Sequence, residues 1–142
     1  MKKLMLIGKT GCGKTTLIQT INNENISYKK TQAVEYYENI IDTPGEYIEN
    51  RVYYNALIVL ACDCDIMALV QDCTSEDNIF PPNFAATFSK PVIGIITKID
   101  MCKCKEDIDA AKNYLISSGV NEIFEVSAIN NEGIDRIKEI LY

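Results

Sequence analysis

A glycine-rich segment with the sequence GKTGCGKTT follows the apolar run LMLI near the start of the chain. Gly8, Gly13, Lys14 and Thr15 have the spacing of a phosphate-binding loop, in which glycine and four further residues precede glycine, lysine and threonine or serine. Glycines allow backbone N–H groups to surround a phosphate at positions where a Cβ would obstruct them. The N-terminus of the following helix adds partial positive charge. The segment therefore predicts an α/β domain that binds a nucleoside triphosphate after its first strand.

Short apolar runs alternate with amphipathic runs along the rest of the chain. The candidate strands are 3–8, 33–37, 39–43, 65–72, 91–97 and 122–128, and the candidate helices are 14–23, 47–62, 105–119 and 132–142. The first strand and the last three are nearly continuous apolar runs, which indicates cover on both faces. Alternation of this kind predicts a mostly parallel six-stranded sheet with helices on both faces, in one domain over residues 1–142.

Proline and glycine set two boundaries in this pattern. Pro81 and Pro82 exclude a long helix over 75–90, so we expect a short helix or an ordered loop there. Gly119 is expected to end the helix predicted over 105–119, because glycine readily adopts the left-handed conformation that closes a helix.

The charge balance limits the classes of partner. The 142 residues include 14 Lys and Arg against 20 Asp and Glu, which gives a net charge of −6. A chain with this balance lacks the basic surface that nucleic acids and anionic membranes attract. The apolar runs are too short for a membrane span, and the run after MKK is too short for a signal peptide. We therefore expect a cytoplasmic protein with no nucleic-acid or membrane partner.

The six cysteines are expected to be free thiols. Zinc binding by Cys62 and Cys64 together with Cys102 and Cys104 is disfavoured, because paired zinc ligands normally have two to four residues between them. The predicted layout also puts these two pairs at opposite ends of the sheet. Cys12 lies within the glycine-rich loop, where both a small neutral filler and a redox-active thiolate stay open.

Further residues supply the metal and phosphate chemistry of such a site. Lys14 offers a cation to the outer phosphates, and Thr15 a hydroxyl to Mg²⁺. Asp42 ends an apolar strand and can hold the Mg²⁺ shell through water, while Gly45 can donate its N–H to the terminal phosphate. Thr31, in the loop before the second strand, can reach Mg²⁺ when a triphosphate is bound.

Two later strand ends carry residues that can read a guanine base. Asp100, in the segment TKID, can accept hydrogen bonds from N1–H and the 2-amino group of guanine, and adenine lacks both donors. The stem of Lys98 can lie along the base. The N–H of Ala128, in the segment VSAI, can meet the guanine oxygen. These segments come in order at the carboxyl ends of strands, where open α/β sheets bind ligands.

With these motifs the chain resembles the Ras-like small GTPases over its full length. More narrowly it resembles the EutP/PduV family, small P-loop GTPases associated with bacterial microcompartments for ethanolamine and propanediol utilisation. The narrower resemblance lies in GKTGCGKTTL, KTQAVEY and DTPGEY, the last two being closely spaced. It implies a three-layer P-loop NTPase fold with a shortened edge hairpin, and a protein that uses GTP or GDP with Mg²⁺. Its implied partners are microcompartment shell or enzyme proteins.

The resemblance also implies roles for individual residues. The phosphates would be bound by Gly8, Lys9, Thr10, Gly11, Cys12, Gly13, Lys14, Thr15 and Thr16. The guanine would be bound by Thr97, Lys98, Asp100, Ser127, Ala128 and Ile129. The metal would be bound by Thr15, Thr31 and Asp42, and hydrolysis would involve Lys14, Thr31, Gly45 and Glu46.

The chain departs from the Ras-like pattern at three points. Thr97 replaces an asparagine, and its hydroxyl can still tie this loop to the phosphate loop, with a modest loss of nucleotide affinity expected. The short segment between Thr31 and Asp42 leaves room for only two short antiparallel strands. Glu46 replaces a glutamine that orients water; its carboxylate either repels the terminal phosphate, accepts a proton from water or faces solvent. We therefore expect slow intrinsic turnover.

Three functions remain open on this basis. The first is a Mg²⁺-dependent, slowly GTP-hydrolysing switch or assembly factor for a microcompartment. The second is a phosphotransferase that passes the γ-phosphate to a small acceptor such as acetate, and the third is an interaction module that holds nucleotide with negligible turnover. Inorganic phosphate, a phosphorylated acceptor or neither product would distinguish them.

Overall fold

The computed structural model describes residues 2–25 and 31–142, and six strands in these ranges form one sheet. The strands are β1 (Leu4–Gly8), β2 (Glu35–Tyr36), β3 (Ile40–Asp42), β4 (Ile66–Asp72), β5 (Val92–Thr97) and β6 (Ile123–Glu125). Their order is β2-β3-β1-β4-β5-β6, and only the β2–β3 pair is antiparallel. The mostly parallel sheet and its shortened edge hairpin are confirmed. The glycine-rich loop leaves β1, a central strand.

Five α-helices in the described residues lie within or beside the segments predicted to be helical. They are α1 (Lys14–Ile21), α2 (Glu46–Glu49), α3 (Tyr54–Ala61), α4 (Lys105–Ser117) and α5 (Ile134–Leu141). Short 3₁₀ turns occur at Arg51–Tyr53, Phe84–Thr87 and Ile99–Met101. Helix α4 ends as predicted, with Gly119 at a φ of +99° just beyond it.

The prediction of one helix over 47–62 is wrong, because Asn50 breaks it. Asn50 has an extended backbone, with φ −126° and ψ 119°, and its side chain accepts a hydrogen bond from the N–H of Val52. An asparagine side chain that bonds nearby backbone in this way competes with the helical ladder. The chain consequently forms α2, a 3₁₀ turn and then α3 as separate pieces.

The strand β6 is less covered than the sequence indicated. Phe124 is buried, but Glu125 is exposed and Ile123 only half-buried. The reason is its place at the edge of the sheet, where it pairs with β5 alone.

The segment 75–90 does form a short helix, the 3₁₀ turn at Phe84–Thr87.

Alternate residues of the central strands pack against two layers of helices. Met5 and Ile7 of β1 belong to one apolar cluster, which includes buried residues of α3 and α4. Leu4 and Leu6 belong to the other, which includes buried residues of α1 and α5. A strand buried on both faces is the arrangement that its continuous apolar run predicts. The three-layer α/β fold is therefore confirmed.

No helix in the two described ranges is both long and apolar enough to cross a membrane. Because β1, β3, β4, β5 and β6 run parallel, their carboxyl ends lie along one edge of the sheet. The candidate site is at that edge.

Candidate functional site

The loop after β1 has the backbone that a phosphate cradle requires. Gly11 and Gly13 have φ values of +82° and +98°, a region that L side chains rarely adopt. A Cβ on Gly8 would lie 2.6 Å from Cys12 Sγ and 2.8 Å from the carbonyl oxygen of Val70. These three positions exclude larger residues for reasons of geometry.

Lys14 is buried at the start of α1, with 6% of its surface exposed. Its Nζ donates a hydrogen bond of 2.9 Å to the carbonyl oxygen of Gly8. The cation consequently lies against the inner side of the loop, close to the backbone N–H groups that would face a phosphate. Burial of a lysine without a carboxylate in direct contact is costly, and an anion bound beside it would relieve that cost.

Two hydroxyl groups and one carboxylate meet between α1 and β3. Asp42 Oδ2 accepts hydrogen bonds from Thr31 at 2.8 Å and from Thr15 at 3.2 Å, and the two hydroxyl oxygens are 3.1 Å apart. All three residues were predicted as metal ligands from separate segments of the sequence. The structure brings them together within hydrogen-bonding distance.

Asp42 is fully buried, and its Oδ1 has no hydrogen-bond partner among the described residues. Burial raises the pKa of this carboxyl, while the positive charge of Lys14 and the two threonine hydroxyls oppose the rise. A buried carboxylate with an unsatisfied oxygen beside two hydroxyls is a donor set that suits Mg²⁺, which prefers hard oxygen ligands. The residues present therefore fit a Mg²⁺ ion.

The segment after Asp42 lies directly against the phosphate loop. Thr43 donates a hydrogen bond of 2.8 Å to the carbonyl oxygen of Leu6, which holds β3 beside β1. Gly45 lies so close to Thr10 that a Cβ on the glycine would collide with the backbone nitrogen of Thr10. The loop and this segment can approach each other only because position 45 is glycine.

The short helix α2 places two carboxylates near the same loop. Glu46, its first residue, is exposed, and Glu49 accepts a hydrogen bond of 3.1 Å from the hydroxyl of Thr10. A cavity of about 360 Å³ is lined by Thr10, Thr31, Gln32, Glu46 and Glu49. Glu49 was not predicted as a site residue, although it falls one helical turn after Glu46.

The loop after β5 is tied to the phosphate loop by two side chains. Thr97 donates a hydrogen bond of 2.5 Å to the carbonyl oxygen of Cys12, which is the link predicted for this threonine. Lys98 donates one of 2.8 Å to the carbonyl oxygen of Gly11 and forms an ion pair of 2.9 Å with Asp72. Asp72, the last residue of β4, was missed by the sequence-based predictions. Asp72 is a carboxylate at the end of a strand, as Asp42 is, and this feature of the sequence could have identified it.

The two segments predicted to read a base also lie together. Ser127 Oγ donates a hydrogen bond of 2.6 Å to Asp100 Oδ1, and it accepts one of 3.2 Å from the N–H of Asn130. Ala128 is half-buried and Ile129 is exposed. The carboxylate of Asp100 thus has a fixed orientation at an exposed rim.

Two other side chains of the phosphate loop, Lys9 and Cys12, are engaged within the protein. Lys9 forms an ion pair of 2.8 Å with Asp77, and this hydrogen bond raises the pKa of Lys9. Cys12 is buried, and burial raises the pKa of its thiol in spite of the opposing charge of Lys14. Cys12 consequently packs as a neutral thiol.

The prediction that all six cysteines stay free is wrong for Cys73 and Cys102, which form a disulfide. Cys73 follows Asp72, and Asp72 is opposite Thr97 in the parallel ladder of β4 and β5. That register brings the loops after the two strands together, and sequence spacing alone gives no measure of it. The other four cysteines are free thiols.

A family model described as ethanolamine utilisation and propanediol utilisation, PduV-EutP, matches residues 1–142. The chain is 42% identical over 137 residues to propanediol utilization protein PduV of Citrobacter freundii, which covers 96% of this chain and 91% of that protein. It is 31% identical over 144 residues to the protein named "Probable acetate kinase EutP" of Escherichia coli (strain K12), which covers 99% and 89% respectively.

Solved structures of Era, a GTPase, share the fold. A variant from Aquifex aeolicus bound to GDP and AlF₄⁻ gives a TM-score of 0.66 at 21% identity, covering 99% of this chain and 56% of that one. Era bound to MgGDPNP and a fragment of 16S ribosomal RNA gives 0.67 at 22% identity, covering 99% and 55%. The chain therefore spans little more than half the length of these structures, and it shares the α/β fold of P-loop GTPases.

Proposed function

The chain belongs to the PduV–EutP family of ethanolamine and propanediol utilisation proteins, and from this premise we propose that it is a Mg²⁺-dependent GTP-binding protein that hydrolyses GTP slowly. The observation that carries the proposal is the convergence of Thr15, Thr31 and the buried Asp42 beside Lys14. This cluster lies at the mouth of a preformed phosphate loop. A complex of Mg²⁺ with a triphosphate would give a partner to Asp42 Oδ1 and would place negative charge beside the buried ammonium group of Lys14.

The phosphate loop would bind the phosphates through its backbone N–H groups and the side chain of Lys14. The N–H groups of residues 9–16 would face the β- and γ-phosphates, and Lys14 would exchange its bond to Gly8 for bonds to phosphate oxygens. Thr15, Thr31 and Asp42 would hold Mg²⁺, which would neutralise charge on those oxygens.

Selectivity for guanine rests on the oriented carboxylate of Asp100. Its Oδ1 is held by Ser127, so the carboxylate is positioned to accept from the N1–H and 2-amino groups of the base. Adenine offers neither donor, which would leave the carboxylate without a partner. Ala128 would donate its N–H to the guanine oxygen, and Lys98 and Ile129 would flank the base.

Hydrolysis would take place at the cavity bounded by Thr31, Glu46 and Glu49. Water entering this cavity would attack the γ-phosphorus in line with the leaving oxygen, while Lys14 and the N–H of Gly45 stabilise the developing charge. Two carboxylates on the attacking side add negative charge near a negative phosphate. They make hydrolysis slow, which suits a switch.

Transfer of the γ-phosphate to acetate is a second candidate, and the name of the Escherichia coli relative supports it. Acetate carries the same charge as Glu46 and Glu49, so it would be repelled from the cavity that water can enter. For this reason we place hydrolysis first. A third candidate, a binding module with negligible turnover, predicts neither product.

We also place the protein in the cytoplasm, in contact with shell or enzyme proteins of a microcompartment for propanediol or ethanolamine utilisation. Family membership supports this setting. Recovery of the tagged protein with purified microcompartments would support it. The same purification from a strain that lacks the shell should then recover none of the tagged protein.

Calorimetry with GTP, GDP and ATP, each with and without Mg²⁺, tests the binding proposal. We expect tight GTP and GDP binding that needs Mg²⁺ most for GTP, and weak ATP binding. Incubation with GTP and acetate then separates the reactions: inorganic phosphate supports hydrolysis, and acetyl phosphate supports transfer. Indifference to all three nucleotides at saturating Mg²⁺ would overturn the proposed function.

A further inference from the structure

The disulfide between Cys73 and Cys102 closes the end of the candidate base-reading loop. Cys73 follows β4 directly, Cys102 follows the 3₁₀ turn that contains Asp100, and their Cα atoms are 6.4 Å apart. The bond therefore lies at the rim of the site and joins the carboxyl ends of two neighbouring strands. Its buried end, Cys73, belongs to the apolar cluster that includes Met5 and Ile7, and Cys102 packs against that cluster.

Asp100 lies between two anchors. On its N-terminal side Lys98 is held by Asp72 and by the carbonyl oxygen of Gly11. On its C-terminal side the chain is held by the bond from Cys102 to Cys73. Residues 100, 101, 103 and 104 are exposed, so apart from the disulfide this side is held by the packing of Cys102 and by the backbone hydrogen bonds of the 3₁₀ turn.

The buried end of the disulfide is itself fixed to β5. The N–H of Cys73 donates a hydrogen bond of 3.2 Å to the carbonyl oxygen of Thr97, and its sulfur lies 3.1 Å from the carbonyl oxygen of Lys98. Cys73 thus stays in place in either oxidation state, and as a thiol it can donate to Lys98. Only the Cys102 end gains freedom on reduction.

We propose that Cys73 and Cys102 are positioning residues for guanine recognition, and that reduction of their disulfide weakens the hold on the base. This inference rests on the proposed function, because it takes Asp100 as the residue that reads guanine. The oxidised protein retains guanine nucleotide, and the reduced protein releases it faster. Nucleotide occupancy then responds to the thiol–disulfide balance around the protein.

The chemistry is thiol–disulfide exchange with a small thiol such as glutathione. The thiolate attacks the sulfur of Cys102, since Cys102 is half-buried whereas Cys73 is buried, and Cys73 leaves as a thiolate that takes up a proton. A second thiolate attacks the mixed disulfide, releasing the oxidised small thiol and the thiol of Cys102. Two electrons and two protons pass to the protein, and a small-molecule disulfide returns it to the oxidised form.

The place of this bond favours a responsive role over a merely structural one. Structural disulfides that strengthen a small fold usually close loops of the scaffold, whereas accessible ones beside a site undergo exchange readily. Apart from Cys73 and Cys102 themselves, the apolar clusters on both faces of the sheet are built from side chains that the bond does not join. The disulfide instead ends a loop that contacts the candidate ligand.

The test measures release of a fluorescent GDP from the full chain with saturating Mg²⁺, after oxidation by glutathione disulfide or reduction by a phosphine. Reduction should raise the dissociation rate about tenfold, within the usual range of coupling between sites. It should also lower the preference for GTP over ITP, which lacks the 2-amino group read by Asp100. A general loss of stability would weaken both nucleotides alike and leave that preference unchanged.

Cys102→Ser should release the nucleotide quickly under both conditions, and Cys104→Ser, an exposed free cysteine two residues away, should behave as the wild type. Thiol counting on the unfolded protein checks the bond itself, with four thiols expected after oxidation and six after reduction. Six thiols after oxidation would overturn the inference. Equal rates of GDP release in both states would overturn the inference but would leave the proposed function standing. The absence of guanine-nucleotide binding in either state would overturn the inference and the proposed function together.

Discussion

The two sides of the candidate site differ in how firmly they are held. On the side of the phosphate loop and the base, Lys14, Thr97 and Lys98 are buried or half-buried and bond to backbone carbonyl oxygens. On the side of α2, Glu46 and Glu49 are exposed on a helix of four residues. The residues suited to binding are fixed in advance, while those nearest to an attacking water are not.

This difference follows from where each side is built. The binding side grows from the ends of three adjacent parallel strands, whose ladders set the positions of the loops. The α2 side is anchored by Ile48, which is buried in the apolar cluster that includes Met5 and Ile7. Its contacts with the phosphate loop are the close approach of Gly45 to Thr10 and one side-chain hydrogen bond, and its two carboxylates are exposed. A site of this kind should bind nucleotide well and catalyse poorly, and four substitutions can test that contrast.

The largest effect is expected for Lys14→Ala. Loss of the buried cation should lower GTP affinity or turnover by at least about 10²-fold, because a preorganised donor to the phosphates is removed. Filter binding and phosphate release would measure it, with Lys112→Ala, a half-buried lysine of α4 that pairs with Glu125, as the control. Unchanged binding, with the fold intact by circular dichroism, would contradict the central role of this lysine.

Asp100→Asn should reduce the preference for GTP over ATP by about 10²-fold, the discrimination that one bidentate base contact can supply. The phosphate loop is untouched, so ATP binding itself should change little. Competition between the two nucleotides gives the ratio, and Asp63→Asn, exposed at the opposite end of the sheet, is the control. A constant ratio would mean that another group reads the base.

Asp42→Asn should raise the Mg²⁺ concentration that GTP binding needs, because metal affinity falls by between about 10- and 100-fold. The amide keeps the acceptor for Thr15 and Thr31 but removes the charge that suits a divalent ion. Titration of Mg²⁺ in the presence of GTP gives the affinity. GDP binding without Mg²⁺ should be equal in both proteins, and a large loss there would point to misfolding.

The smallest effect is expected on the exposed side. Glu46→Gln should leave GTP hydrolysis equal or faster, since it removes a negative charge near the terminal phosphate. Glu49→Gln is the variant for comparison, because it removes the neighbouring negative charge while its amide oxygen still accepts a hydrogen bond from Thr10. Single-turnover phosphate release would compare them. A large fall in rate for Glu46→Gln alone would make this residue a catalytic base and reverse the contrast between the two sides.

Much of the binding side could be predicted from sequence because its signals are local. The spacing of Gly8, Gly13 and Lys14 identifies the loop, and continuous apolar runs identify β1, β4 and β5 as covered strands. The link from Thr97 to the loop followed from the chemistry of a hydroxyl at that strand end.

The missed features depend on which residues become neighbours across the sheet. The ion pair of Asp72 with Lys98 and the disulfide of Cys73 both need the register in which Asp72 is opposite Thr97. The contact of Glu49 with Thr10 needs the close approach of Gly45 to Thr10, which brings α2 against the phosphate loop. Distances of this kind arise from packing, and a single sequence does not display them.

The hydrogen bond from Thr97 to the carbonyl oxygen of Cys12 has a further consequence. A peptide group is planar, so fixing its oxygen on one side turns the N–H of Gly13 toward the other. The strand proposed to lie beside the purine would thus also aim a donor at the polyphosphate. Pyrophosphate, which has no base at all, should therefore bind less tightly when Thr97 is replaced by valine.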